Sequence, residues 1–140
     1  MTIEILLIED HADTLEPFAA LLVLNGATVT TASTGSEGIK IYRDRLTKNP
    51  IDGVVTDLGL PDISGLEVLR QVREHNPKLY VAFVTGHHQE VVERERIKLN
   101  APKESRTITK PILWGTIASE LISDIERAKA TYPKPQAYTS

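Results

Sequence analysis

Ile3-Glu4-Ile5-Leu6-Leu7-Ile8-Glu9-Asp10 is a short, almost unbroken apolar run that stops at two acids. Apolar residues without strict alternation mark a strand buried on both faces, the kind found in parallel sheets. The pattern returns at Val54-Val55-Thr56, ending in Asp57, and at Tyr80-Val81-Ala82-Phe83-Val84, ending at Thr85-Gly86. Ala27 to Ala32 alternates Val with Thr, and Thr107 to Thr109 is a weaker strand that ends at Lys110-Pro111. Between these runs the period changes to that of helices. Leu15, Phe18, Ala19 and Leu22 share one face from Asp13 to the stop at Asn25-Gly26, with Pro17 acceptable near the first turn. Thr34-Gly35-Ser36 opens a second helix carrying Ile39, Tyr42 and Leu46, and Gly65 opens a third with Leu66, Leu69 and Val72, closed by Asn76-Pro77. A charged helix spans Gln89 to Leu99, and Ile117, Leu121, Ile125 and Ala128 repeat along a last one.

Five strand-then-helix repeats require right-handed crossovers, which predicts an α/β fold: a doubly wound five-stranded parallel sheet with helices on both faces. Ligands of such sheets bind beyond the carboxyl ends of the strands, at the switch point of strand order. Glu9, Asp10, Asp57, Thr85 and Lys110 all fall at such ends.

A chain of 140 residues suits one domain, here expected over residues 1–130, with the proline-bearing residues 131–140 as a flexible tail. Zero cysteines exclude a disulfide framework, a thiolate metal site and a cysteine nucleophile. A net charge of -3 without a basic block argues against nucleic-acid binding. The longest uncharged apolar run, Phe18 to Leu24, is far short of the ~20 residues of a membrane span, and no secretory lead precedes Ile3. A cytoplasmic protein is expected.

Three carboxylates at one sheet edge repel one another unless a cation neutralises them. Oxygen donors favour Mg²⁺, which commonly bridges carboxylates to a phosphate. With Lys110 opposite, the cluster reads as a phosphoryl-binding site in which a carboxylate attacks phosphorus while the lysine and the Thr85 hydroxyl disperse charge. Gly86 is expected to leave room for that group.

Leu7-Ile8-Glu9-Asp10, Asp57 to Glu67, Val84-Thr85-Gly86 and Thr109-Lys110-Pro111, in this order and spacing, resemble the receiver domain of two-component response regulators, over residues 3 to about 128. The resemblance implies the flavodoxin-like (βα)5 receiver fold. It makes Asp57 the phospho-acceptor, with Asp10 a direct Mg²⁺ ligand, Glu9 an acid acting directly or through water, and the Gly59 carbonyl a further ligand. Thr85 would hydrogen-bond a phosphoryl oxygen, and Lys110 would pair with the phosphate, aimed by Pro111 after a cis bond. The implied partners are a sensor histidine kinase or histidine phosphotransfer protein as donor and a protein target of unknown identity. The implied function is a stand-alone, Mg²⁺-dependent phospho-accepting switch that catalyses only its own phosphorylation and dephosphorylation and carries no DNA-binding output domain. Alternatives are a phosphate sink, a fragment of a longer regulator, and a carboxylate-dependent phosphatase. Against the last stands Gly59, where dehalogenase-like phosphatases need a second acid.

The chain departs from the family pattern in two places: before the fifth strand, where receivers usually have a small, acidic stretch and this chain has Pro102-Lys103-Glu104-Ser105-Arg106, and at Thr107. Receivers usually carry Tyr or Phe three residues before the lysine, and Thr107 stands there, so the ordinary aromatic switch cannot operate. Phosphorylation is expected instead to be reported by the Gly86-His87-His88 turn, the helix after it and Trp114. His87 lies where receivers tune the access of water, while the His87-His88 pair reads as loop polarity rather than as metal ligands. Trp114 is equally compatible with core packing and with a partner anchor, and the helix after His88 reads as a solvated face.

Overall fold

The computed structural model describes residues 2–131. Ten elements alternate: β1 (Ile3–Ile8), α1 (Ala12–Leu24), β2 (Ala27–Ala32), α2 (Gly35–Asp44), β3 (Gly53–Asp57), α3 (Gly65–His75), β4 (Tyr80–Thr85), α4 (Gln89–Lys98), β5 (Arg106–Thr109) and α5 (Trp114–Thr131). All five strands pair in parallel, as the five repeats predicted, and their order is β2-β1-β3-β4-β5. The chain winds outward from β1 in both directions, so the switch point lies between β1 and β3.

Both sheet faces are covered. Leu6, Ile8, Val54, Val81 and Phe83 pack with Ile39, Tyr42, Leu66, Leu69, Val72 and Val92 from α2, α3 and α4. On the opposite face Ile5, Leu7, Val55, Ala82 and Val84 meet Phe18, Leu22, Ala118, Leu121 and Ile125 from α1 and α5. Each fully buried side chain of this size contributes about 1.5–3 kcal/mol. That double burial explains why the central strands are apolar at consecutive positions.

Local chemistry sets the helix starts. The Thr34 hydroxyl caps α2, accepting from the Glu37 N–H at 3.1 Å, while the Glu37 carboxylate reaches back to the Ser33 N–H at 2.8 Å, one residue before the cap. The Ser64 hydroxyl caps α3, accepting from the Glu67 N–H at 3.3 Å. Pro17 lies in the second turn of α1 rather than the first; it and Asp13 are exposed, so the carbonyl it leaves without an amide faces water.

Several boundaries differ from the expectation. β5 begins at Arg106, and α5 starts at Trp114 and takes in Thr131, which was expected to open the tail. The remaining tail residues, 132–140, lie outside the described residues. Leu46 falls past the end of α2 yet packs against the core from there. Among the described residues no helix is long and apolar enough to cross a membrane.

Candidate functional site

The carboxyl ends of β1, β3, β4 and β5 bring the expected residues to one edge. Glu9 and Asp10 follow β1, Asp57 ends β3, Thr85 ends β4 and Lys110 follows β5. Lys110 Nζ stands 3.4 Å from Asp57 Oδ2 and 3.8 Å from Glu9 Oε1. The Lys110 backbone N–H donates to the Thr85 carbonyl at 2.8 Å, and the Lys110–Pro111 bond is cis. Asp57 Oδ1 accepts from the Gly59 N–H at 3.0 Å, which fixes the carboxylate against the start of the β3–α3 loop.

Glu9 is almost wholly buried, with 5% of its side chain exposed. Its pKa is raised, first by burial and then by the neighbouring charge of Asp57, while the His11 N–H and Lys110 act the other way. Taken out of water beside a second carboxylate, Glu9 is poised to be stabilised by a cation. Asp10 Oδ1 is buried and has no hydrogen-bond partner among the described residues. One donor atom from each of Glu9, Asp10, His11 and Asp57 lies within 4.8 Å of all the others. An oxygen-rich cluster with an orphaned buried oxygen fits a divalent cation.

Thr85 is buried, and its hydroxyl oxygen accepts from the His87 N–H at 3.0 Å, tying it to the turn that leads into α4. Gly86, His87 and His88 are exposed. A Cβ on Gly86 or on Gly59 would meet nothing within 4 Å, so in this structure the room at Gly86 does not depend on its being glycine. Gly65 is different. A Cβ there would stand 2.4 Å from the Asp57 carbonyl oxygen, so only glycine lets α3 start this close to the acceptor strand.

Thr107 is half-buried, and its hydroxyl donates to the Glu104 carboxylate. Trp114 packs on Phe18, ring centroids 4.7 Å apart, and both line a small cleft with Glu9 and Asp57. Trp114 is half-buried and packs against the core, as the core reading expects. On α4 Val92 is the buried residue, and the remaining side chains are charged or partly exposed, as a solvated face requires.

Sequence reasoning missed two contributors. His11, next to the acid pair, reaches Asp10 and Glu9 with its Nδ1; its position beside two acids was the available signal. Asp62 accepts from the Gly35 and Ser36 N–H groups, each at 2.9 Å, and so latches the β3–α3 loop to the start of α2. No local pattern announces a contact between segments 26 and 27 residues apart.

A family model described as response regulator receiver domain matches residues 5–121. The chain is 31% identical over 129 residues to "Probable transcriptional regulatory protein TcrX" of Mycobacterium tuberculosis, covering 92% of this chain and 52% of that one. It is 27% identical to the response regulator receiver protein CpdR of Brucella abortus, covering 84% of this chain and 92% of that protein. The chain thus spans about half of one relative and nearly all of the other. Among solved structures, a response regulator receiver domain protein from Clostridium thermocellum superposes with a TM-score of 0.76 at 29% identity, covering 92% of this chain and 98% of that chain. A CheY-like receiver domain protein from Methanospirillum hungatei, 22% identical with a TM-score of 0.76, shares the fold.

Proposed function

Because this chain belongs to the response regulator receiver domain family, whose members act as phospho-accepting switches in two-component signalling, we propose that Asp57 is its phospho-acceptor and that the phosphorylated state alters binding to a protein target. The observation that carries this reading is the approach of Lys110 Nζ to Asp57 Oδ2 at 3.4 Å, beside Glu9, from stretches 53 residues apart. We assign the receiver unit to the chain through Thr131, where α5 ends, in a cytoplasmic protein.

In the proposed transfer an Asp57 carboxylate oxygen attacks the phosphorus of a phosphohistidine on a sensor kinase or phosphotransfer protein. An O–P bond forms and the N–P bond breaks, its electron pair remaining on the departing imidazole. Lys110 places positive charge beside the incoming phosphoryl oxygens. The Thr85 oxygen already accepts from His87, so its own proton is available to a phosphoryl oxygen. Glu9, Asp10, Asp57 and the Gly59 carbonyl would hold Mg²⁺, which when bound supplies the charge neutralisation that two acids beside the acceptor otherwise oppose. In dephosphorylation, a separate step, water attacks phosphorus, the O–P bond to Asp57 breaks with its electron pair on the carboxylate, and inorganic phosphate leaves. His87, two residues after Thr85, is placed to tune that access of water.

The readout cannot use an aromatic at position 107. It follows instead from the Thr85–His87 hydrogen bond: a phosphoryl group that accepts the Thr85 hydroxyl proton draws on the same side chain whose oxygen anchors the Gly86-His87-His88 turn, so a shift of Thr85 is passed to the start of α4.

Intact mass after incubation with acetyl phosphate and Mg²⁺ tests the reading. One added phosphoryl group on the wild type and none on Asp57→Asn is the expected result. Equal modification of both proteins, or none of either, would overturn it.

A further inference from the structure

His11 occupies the N-cap of α1, yet its side chain makes no capping hydrogen bond. Helix capping therefore does not account for where the imidazole lies. Its Nδ1 stands 3.3 Å from Asp10 Oδ1 and 3.4 Å from Glu9 Oε2. Two donors each about 2.1 Å from one ion stand about 3.0 Å apart at a right angle and about 3.4 Å apart at the tetrahedral angle. The observed spacings match atoms that share an ion. Asp10 Oδ1, the oxygen nearest the ring, is the one left buried without a hydrogen bond. Donor atoms of Glu9, Asp10, His11 and Asp57 all lie within 4.8 Å of one another, close enough to share one ion.

We propose that His11 is a ligand of the divalent-cation site, and that its nitrogen makes this site prefer transition ions of the Co²⁺, Ni²⁺ and Zn²⁺ class over Mg²⁺. The proposal rests on the cation site described above. Mg²⁺ gains little from imidazole because it favours oxygen donors, whereas first-row transition ions gain a bond of the type they favour. A site with carboxylates alone discriminates less between the two classes of ion. With His11 added, the ion carried depends on the transition-metal supply as well as on Mg²⁺. His75 lies instead against Tyr42, and His87 and His88 sit in the exposed turn before α4, so among the described residues His11 is the imidazole that joins this cluster.

The test uses the tag-free full chain at one fixed, mildly alkaline pH. Mg²⁺ and Co²⁺ are titrated separately, and Co²⁺ is then titrated into Mg²⁺-loaded protein so that binding at His87-His88 is told apart by its lack of competition. The readout is fluorescence of Trp114, the single indole of the chain, which lines the same cleft as Glu9 and Asp57. His11→Asn keeps a favourable N-cap residue and so preserves α1. Co²⁺ affinity should fall at least about tenfold in His11→Asn, since loss of even an outer partner of a metal ligand costs about 10–100-fold. Mg²⁺ affinity should change by less than about twofold. An unchanged Co²⁺ affinity, or an equal fall for both ions, overturns the proposal while leaving the Mg²⁺ site standing. Failure of the wild type to bind either ion overturns the underlying cation site, and the proposal with it.

Discussion

The Thr107 hydroxyl donates to Glu104, a buried carboxylate whose second oxygen has no hydrogen-bond partner among the described residues. Burying a charged group without full hydrogen bonding is costly, and here the charges of Arg73 and Arg96 offset the cost. Arg73 also donates to the Leu79 and Lys103 carbonyls, at 2.8 and 2.9 Å, so the segment before β5 is bound to α3. Where the family usually places an aromatic ring free to turn, this protein has a polar pair held in a charged pocket. Thr107→Val should destabilise the fold by about 1–3 kcal/mol, the cost of removing one partner from a buried acceptor, measured by urea unfolding. Phosphoryl uptake should persist in this variant.

Gly65→Ala tests whether the close approach of α3 positions the acceptor. Its methyl group would stand 2.4 Å from the Asp57 carbonyl oxygen, and backbone cannot yield as a flexible side chain can. A loss of about 1–3 kcal/mol in stability is expected from overpacking. The rate of phosphorylation by acetyl phosphate should fall as well, because the displaced atoms belong to Asp57 itself.

Asp62 should make the fold sensitive to acid. The Ser36 hydroxyl and then the Ser36, Ile63 and Gly35 N–H groups hold its pKa well below the usual carboxylate range. With the folded value depressed, this contribution is present above the ordinary carboxylate pKa and is lost as pH falls towards the folded value. Thermal unfolding should show wild type more stable than Asp62→Asn at neutral pH, with the gap closing in acid. A gap that does not vary with pH would show that the ionised latch is not the cause.

Divalent cation should stabilise the protein, since any ligand that binds only the folded state does so, by about 2.7 kcal/mol at a hundred times its dissociation constant. Saturating Mg²⁺ is expected to raise the unfolding temperature of the wild type and to raise that of Asp57→Asn less. Glu9→Gln, which removes one buried charge beside Asp57, should raise the unfolding temperature without metal and reduce the gain on adding it.

Amide NMR with and without a beryllofluoride phosphoryl mimic should show shifts at Thr85, at the Gly86-His87-His88 turn and at the first residues of α4. That pattern follows from the single hydrogen bond linking His87 to the Thr85 oxygen. Shifts confined to Asp57 and its neighbours would contradict it.

The fold was legible because each central strand is buried on both faces, which suppresses alternation and lets the terminal acid or Thr-Gly stand out. Asp57 and Lys110 could be placed together for the same reason: parallel strands put their carboxyl ends on one edge whatever the intervening length. What could not be read depends on side chains reaching across the fold. Asp62 meets the start of α2 through backbone N–H groups that carry no sequence signature, and Trp114 finds Phe18 because α5 packs beside α1. The Thr107 substitution was visible, but its Glu104 partner required the turn before β5. Some helix and strand ends moved by about a residue, as at α1, which starts at Ala12 rather than Asp13.

Borohydride reduction of the acetyl-phosphate-treated protein, followed by peptide mapping, asks most directly which carboxylate takes the phosphoryl group. An acyl phosphate is reduced to an alcohol while free carboxylates are not. The predicted result is reduction at Asp57 alone, dependent on divalent cation and lost when Lys110 is replaced by Ala. Reduction at Glu9 or Asp10, or at no residue while the cation is bound, would contradict the account.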